Sequence, residues 1–274
     1  MPNLALQPRP GQRRSVGAAP PDFAAEVAAL LAGTNGWAVD PSDSATLFTD
    51  TAGTTPVTTP GVSTIARINT KFGTTTYNWQ QPTAASQYLW NGASMGLDGI
   101  DDLLATTAQT WSANMAARSC TWRAQVDDLS ANRCVFSCST ATGTVVRYQL
   151  QVLTTGAISW ATRRADADTQ NNFVTSAGLI TTGVPFTIQT TEDFAGTGAV
   201  EIFLNGSSVL TATMGGTIGN SESTNSARCR FGLNTSNTLT DWFRNKHAGG
   251  IWAPTLHNAA ARASCKGFVE RFAL

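Results

Sequence analysis

The chain has 274 residues, 18 basic and 18 acidic, for a formal net charge of zero. A chain of this length can bury a core without disulfide or metal help, and its neutrality excludes the basic footprint expected of nucleic-acid or anionic-lipid binders. Charged residues are 13% of the chain, about half the usual ~25%, so Thr, Ser, Asn and Gln must keep the surface wet.

The five cysteines, Cys120, Cys134, Cys138, Cys229 and Cys265, are odd in number and form no C-x-x-C. They signal neither a disulfide framework nor a zinc site, and read as small buried thiols, with Cys134 and Cys138 on one face of a strand. No apolar run reaches the length of a membrane span. The first residues lack the apolar stretch of a signal peptide, so synthesis and folding in a bacterial cytoplasm are expected.

Residues 1–33 form the first zone. Pro2, Pro8, Pro10, Pro20 and Pro21, with Arg9, Arg13 and Arg14, enforce extended backbone and remove hydrogen-bond donors. The stretch is either a disordered tail or an arm that orders on a partner. Residues 22–32 then predict a helix, capped by Asp22 and ended by Gly33. Its apolar face, Phe23, Val27, Leu30 and Leu31, must be covered, and a subunit or particle contact is the expected cover. Residues 34–90 are rich in Thr, Gly and Pro and predict short strands and turns, as a small subdomain or linker.

From 91 to 274 the β pattern sharpens. Val145–Val152 alternates with period 2, and 157–163, 185–191 and 199–204 read as further strands. Asn205-Gly206 marks a tight hairpin. Ala261, Cys265, Phe268, Val269 and Phe272 predict a helix over 258–273, which Gly267 weakens. Several short strands separated by turns argue for a sandwich or barrel.

Alternation puts Arg147, Gln149 and Gln151 outward opposite Tyr148, Leu150 and Val152. Arg163, Gln189, Glu201 and Phe203 fall outward on the other strands. If these strands adjoin, they make a polar face with one exposed aromatic, the mix that binds sugar. The same pattern suits an ordinary solvated face or a subunit interface. Gly92-Ala93-Ser94-Met95-Gly96 matches G-x-S-x-G, but strand rather than helix follows it, so no nucleophile elbow and no catalytic residue is expected. Asp166-Ala167-Asp168 begins like a calcium loop without its glycine and distal glutamate. It reads as a polar hairpin tip. Asp98, Asp101 and Asp102 are oxygen-rich and equally suit a strand edge. No metal site or cofactor is expected.

Trp90-Asn91-Gly92 through Leu97-Asp98-Gly99-Ile100-Asp101-Asp102-Leu103, Glu201-Ile202-Phe203-Leu204-Asn205-Gly206 and Ile251-Trp252-Ala253-Pro254-Thr255-Leu256 resemble successive strands of concanavalin A-like, laminin-G-like jelly rolls. The resemblance implies a mainly β, two-sheet antiparallel jelly-roll sandwich over 91–274, with an N-terminal arm, a short N-terminal helix and a C-terminal helix. Trp37-Ala38-Val39-Asp40-Pro41-Ser42-Asp43 with Leu47-Phe48-Thr49-Asp50-Thr51-Ala52-Gly53-Thr54-Thr55-Pro56-Val57 resembles a segment of structural proteins of tailed phages and gene transfer agents.

Together these imply a virion-surface component (head spike, fibre or decoration protein) whose partners are capsid or tail proteins, its own copies and host polysaccharide, with no nucleic acid and no membrane insertion. The alternatives are a glycan-active hydrolase and a bacterial surface lectin. The jelly-roll glucanases carry an E-x-D-x-x-E strand motif that is absent here.

Overall fold

The computed structural model describes residues 21–98, 100–106, 112–140, 145–222, 227–232 and 244–274. Arg9, Arg13 and Arg14 lie outside them. With strands numbered in chain order, the described residues form two nine-stranded antiparallel sheets. The first runs β16 (Ser207–Thr213), β15 (Ala199–Leu204), β14 (Phe186–Asp193), β9 (Ala117–Val126), β18 (Arg244–Ala253), β7 (Met95–Asp98), β6 (Tyr88–Trp90) and β3 (Thr64–Ile65). β1 (Trp37–Val39) also pairs with β18. The second runs β13 (Asn171–Val174), β12 (Ile158–Thr162), β11 (Val146–Val152), β10 (Arg133–Thr140), β17 (Ala227–Phe231), β8 (Leu104–Ala105), β5 (Asn78–Gln80), β4 (Arg67–Asn69) and β2 (Leu47–Phe48). The protein is a jelly-roll-like β-sandwich carrying two helices, α1 (Phe23–Leu31) and α2 (Ala259–Glu270). Residues 34–90, expected as a small subdomain or linker, contribute strands to both sheets.

Local signals behave as their chemistry requires. Asn205 and Gly206 both take positive φ, 53° and 94°, as a type I′ hairpin turn demands. The Asp22 carboxylate accepts from the Ala25 N–H at 3.1 Å, and the Asn258 side chain accepts from the Ala261 N–H at 2.9 Å. Gly267 sits inside α2 because a Cβ there would lie 2.5 Å from the Phe23 ring. Its absence lets α1 approach.

All five cysteines are buried and free. A register shift between Cys134 and Phe136 sets Cys134 opposite Gln151 while Cys138 faces Tyr148. The expected shared face of the two thiols is therefore split by a bulge.

The space between the sheets is aromatic. Trp37 packs on Trp79 at 4.7 Å and is stacked over Trp252 at 6.4 Å; Trp122 stacks on Phe136 at 4.3 Å. Burying such rings supplies most of the apolar area of a core like this. Gly250 leaves room for them, since a Cβ there would stand 2.0 Å from the Trp122 ring.

α1 and α2 pack together over β18 and β1 of the first sheet. Val27 and Leu31 are fully buried with Ile251, Cys265, Phe268 and Val269, while Phe23 and Leu30 are partly buried against the same cluster. The apolar face of α1 is thus covered by the chain's own body rather than by a subunit or particle. An amphipathic α2 downstream offers it a partner that α1's own periodicity could not reveal.

A buried ion pair lies within the sandwich. Arg118 of β9 and Glu192 of β14 are register neighbours, joined Nε to Oε2 at 2.5 Å with both side chains buried. The second sheet completes the pair. Arg118 Nη2 donates to Thr162 Oγ1 at 2.7 Å, and Trp160 Nε1 donates to Glu192 Oε1 at 3.1 Å. Removing one partner strands a buried charge, whereas removing both with good packing costs far less. Arg118→Leu alone is expected to lower unfolding stability by about 3–5 kcal/mol. The double variant Arg118→Leu/Glu192→Leu should recover at least half of that loss, measured by urea denaturation.

Candidate functional site

The residues expected to form one polar face lie on two. Arg147, Gln149 and Gln151 of β11, with Arg163 just past β12, belong to the second sheet; Gln189 of β14 and Glu201 and Phe203 of β15 belong to the first. β14 pairs with β9 and not with β12 or β13, so the chain changes sheet between β13 and β14. Phe203 is not an exposed stacking ring. It is buried, with the Arg262 guanidinium of α2 4.1 Å from its centroid. Gln189 Nε2 donates to the Arg262 carbonyl at 2.8 Å and to Thr121 Oγ1 at 3.1 Å. Helix α2 therefore caps this half of the expected site.

The second-sheet half keeps its alternation, but Arg147 and Gln149 are buried rather than exposed. Gln149 is in register with Ala161 and Ser137, and Gln151 with Ser159. Asp166 accepts from Arg147 Nε and Nη2 at 2.9 and 2.8 Å, and Asp168 accepts from Arg164 Nη2 and the Ala165 N–H. These carboxylates serve arginines and close the hairpin tip. The G-x-S-x-G stretch turns β6 into β7, a hairpin in which Ser94 is buried. The sharp strand-to-helix turn of a nucleophile elbow is not formed there.

A cleft of about 440 Å³ opens on the outer face of the first sheet, beside the half that the helices cover. Sheet register builds its floor. Thr64, Leu89, Gly96 and Lys246 are successive partners across β3, β6, β7 and β18. Period-2 alternation puts Asp98 on the same face as Gly96. The wall comes from Ala84, Ala85 and Gln87. Gly96 carries no side chain where the row is crowded, for a Cβ there would meet Asn91 Nδ2 at 3.1 Å. Leu89 remains 38% exposed, an apolar step in an otherwise polar line. Thr64 Oγ1 donates to Gln87 Oε1 at 2.8 Å, and Gln87 Nε2 donates to the Gln81 carbonyl at 3.0 Å, which holds the amide in place.

Acidic groups gather at this cleft. Asp98, Asp101 and Asp102 each bring a carboxylate oxygen within 4.8 Å of the others, a spacing compatible with a hard cation. Asp102 accepts from the Asp98 N–H at 2.6 Å, Asp98 accepts from the Ile100 N–H at 2.7 Å, and Ser86 Oγ donates to Asp101 at 2.7 Å. Burial raises the Asp102 carboxyl from 3.8 to about 6; the Asp98 N–H opposes the rise, and the neighbouring Asp98 and Asp101 charges add to it. The cleft therefore offers an ammonium, an exposed carboxylate, a buried carboxyl raised to about 6, amides and an apolar step. That set can hold a hydroxyl-rich ligand by hydrogen bonds and by contact with its C–H face.

The sequence pointed to the oxygen-rich Asp98–Asp102 stretch but not to Thr64, Gln87, Leu89, Asn91, Gly96 or Lys246. No local signal links Lys246 to Gly96, because their neighbourhood exists only through the β7–β18 pairing.

No family model matches the chain, and no curated protein matches it in sequence. Among solved structures it is similar to the Ruminococcus gnavus IT-sialidase CBM40 bound to α2,3 sialyllactose, with 12% identity, 58% of this chain and 84% of that one covered, and a TM-score of 0.47. It is also similar to the botulinum neurotoxin type G receptor binding domain, with 12% identity, 76% and 51% covered, and a TM-score of 0.46. A botulinum neurotoxin type C structure, described by cell entry dependent on two ganglioside molecules, has 10% identity, 71% and 49% covered, and a TM-score of 0.48. The chain spans about half of each toxin chain. At these identities the likeness concerns the sandwich fold alone.

The raised Asp102 carboxyl has a consequence for stability. Its pKa in the folded state exceeds the unfolded value, so its contribution is fully present below about pH 4 and is lost as pH rises through about 6. With chelator present, Asp102→Asn should be more stable than the parent above pH 6 by about 1–2 kcal/mol. Between pH 4 and 6 the parent should lose stability relative to the variant, followed by chemical denaturation at stepped pH.

Proposed function

We propose that this chain is a surface component of a tailed-phage-like particle, a spike, fibre or decoration protein, that binds host surface glycan in the cleft on the β3–β6–β7–β18 half of the first sheet. The observation that carries the glycan part is the register row Thr64–Leu89–Gly96–Lys246 with Asp98 beside it. A saccharide presents hydroxyls around an apolar ring face. Lys246 and Asp98 match the hydroxyls, and Leu89 with Ala84 and Ala85 matches the C–H face. The resemblance of residues 37–57 to phage and gene-transfer-agent structural proteins supports the particle assignment, with residues 1–20 as the anchor. The similar carbohydrate-binding module and toxin domains agree with a sandwich used for adhesion without assigning a sugar.

A second reading rests on Asp102. A carboxyl raised to about 6 beside an exposed Asp98 resembles the acid–carboxylate pair of a glycan-active hydrolase. In the adhesive reading the pair binds without turnover.

One experiment separates these. Host surface polysaccharides are screened for binding to the full chain, and the best binder is titrated against Lys246→Ala, Asp98→Ala and Gln149→Ala. The first two should each weaken affinity at least tenfold, and the third, on the opposite sheet, should leave it unchanged. The reverse order would move the site to the second-sheet face. Release of reducing ends from the bound glycan over hours would make the protein a hydrolase. Loss of particle association on deleting residues 1–20, with the sandwich still folded, is the result expected for the anchor.

A further inference from the structure

We propose that four arginines at one end of the sandwich enclose a site for a single monovalent anion of chloride size. Arg118, Arg147, Arg163 and Arg164 line one cavity together with Ser112 and Ser221. Their donors can be followed one by one. Arg118 uses Nε and Nη2 on Glu192 and Thr162. Arg147 uses Nε and Nη2 on Asp166, and its Nη1 is buried without a partner. Arg163 gives Nη1 to the carbonyls of Asp166 and Asp168 and Nη2 to Gln170, leaving Nε buried and unpartnered. Arg164 gives Nη1 to the Asn220 carbonyl and Nη2 to Asp168, and its Nε too is buried and unpartnered. Ser112 Oγ is in the same state. Arg147, which lines the cavity, is only 6% exposed.

Three guanidinium N–H groups and a hydroxyl belonging to residues that line one cavity are thus unsatisfied, although buried donors almost always find a partner. The carboxylates of Asp166, Asp168 and Glu192 engage other edges of these guanidiniums, and among the described residues no carboxylate lines the cavity. With the Glu222 carboxylate accepting from the Asp166 N–H, four carboxylates balance the four guanidiniums, so what would draw an anion is the unpartnered N–H groups themselves.

The room is small, about 10 Å³ for the centre of a water-sized particle. That is the lower limit for one water and excludes sulfate or phosphate; a halide, somewhat larger than a water, enters with a small outward shift of the guanidiniums. A water has two lone pairs for these donors and two protons of its own to place. Ser221 Oγ already accepts from the Met115 N–H and donates to the Ser112 carbonyl, so it is a poor acceptor. A halide accepts from every side and needs no acceptor. Ser112 Oγ can accept one proton of a water, but three guanidinium N–H groups need acceptors at once, which favours the anion.

The test is thermal unfolding of the full chain at constant ionic strength, with sodium gluconate replaced stepwise by chloride or bromide. Binding to the folded state predicts a saturable rise in Tm with either halide. In Arg164→Met the halide concentration giving half of the rise should increase at least tenfold. An unchanged half-saturation in that variant, or a Tm of the parent that ignores halide, overturns the proposal. Should Arg164→Met not fold, a bromide-soaked crystal of the parent decides. An anomalous peak within hydrogen-bonding reach of Arg147 Nη1 supports the site, and its absence from the cavity shows a water instead.

Discussion

A charge cannot lie unpaired between two apolar sheets, and the buried Arg118–Glu192 pair meets that constraint across both of them. The two residues are neighbours on the first sheet, yet Thr162 and Trp160 of the second sheet supply the remaining hydrogen bonds. The guanidinium also lies 3.9 Å from the Tyr148 ring centroid, so the second sheet packs on the cation as well as bonding to it. A sandwich held by apolar contact alone can slide by a residue with little change in buried area. A shifted second sheet would leave Arg118 and Glu192 paired with each other but would strip the pair of its Thr162 and Trp160 hydrogen bonds, which favours this inter-sheet register. The remaining arginines, Arg147, Arg163 and Arg164, gather at the same end, where Asp166 and Asp168 orient them.

The outer face of the first sheet is divided. Over β18 and β1 it is apolar enough to need cover, and α1 and α2 provide it, while over β14 the contact with α2 is polar, through Gln189 and the Arg262 carbonyl. Over β18, β7, β6 and β3 the outward row is Lys246, Gly96, Leu89 and Thr64, which no helix covers. Closing one half leaves the other open as a single cleft. It also moves Phe203, Gln189 and the apolar face of α1 out of reach of a partner.

Stability and recognition meet at Asp102. The backbone N–H of Asp98 holds its carboxylate, while burial and two neighbouring acids press it toward the neutral form. A group so balanced costs folding energy at neutral pH, and the cleft gains a protonated carboxyl only as pH falls toward 6. Sites that bind or react are often where such local conflicts persist.

What the sequence determined by itself was local. Period-2 alternation set the inward residues of β11, β12, β14 and β15; Asn205-Gly206 made its hairpin; Asp22 and Asn258 capped their helices. These depend on neighbours a few residues away, so the chain states them directly. The tertiary structure alone decided which strands adjoin. Backbone hydrogen bonds are alike for every antiparallel partner, so alternation tells which side chains share a face of a strand but not which strands share a sheet. For that reason Gln149 and Gln189 looked like neighbours and lie on opposite sheets, while Lys246 and Gly96, far apart in the chain, meet in the cleft. The same blindness hid α2's cover over Phe203 and over α1, since a helix discloses its apolar face and not the surface that will receive it.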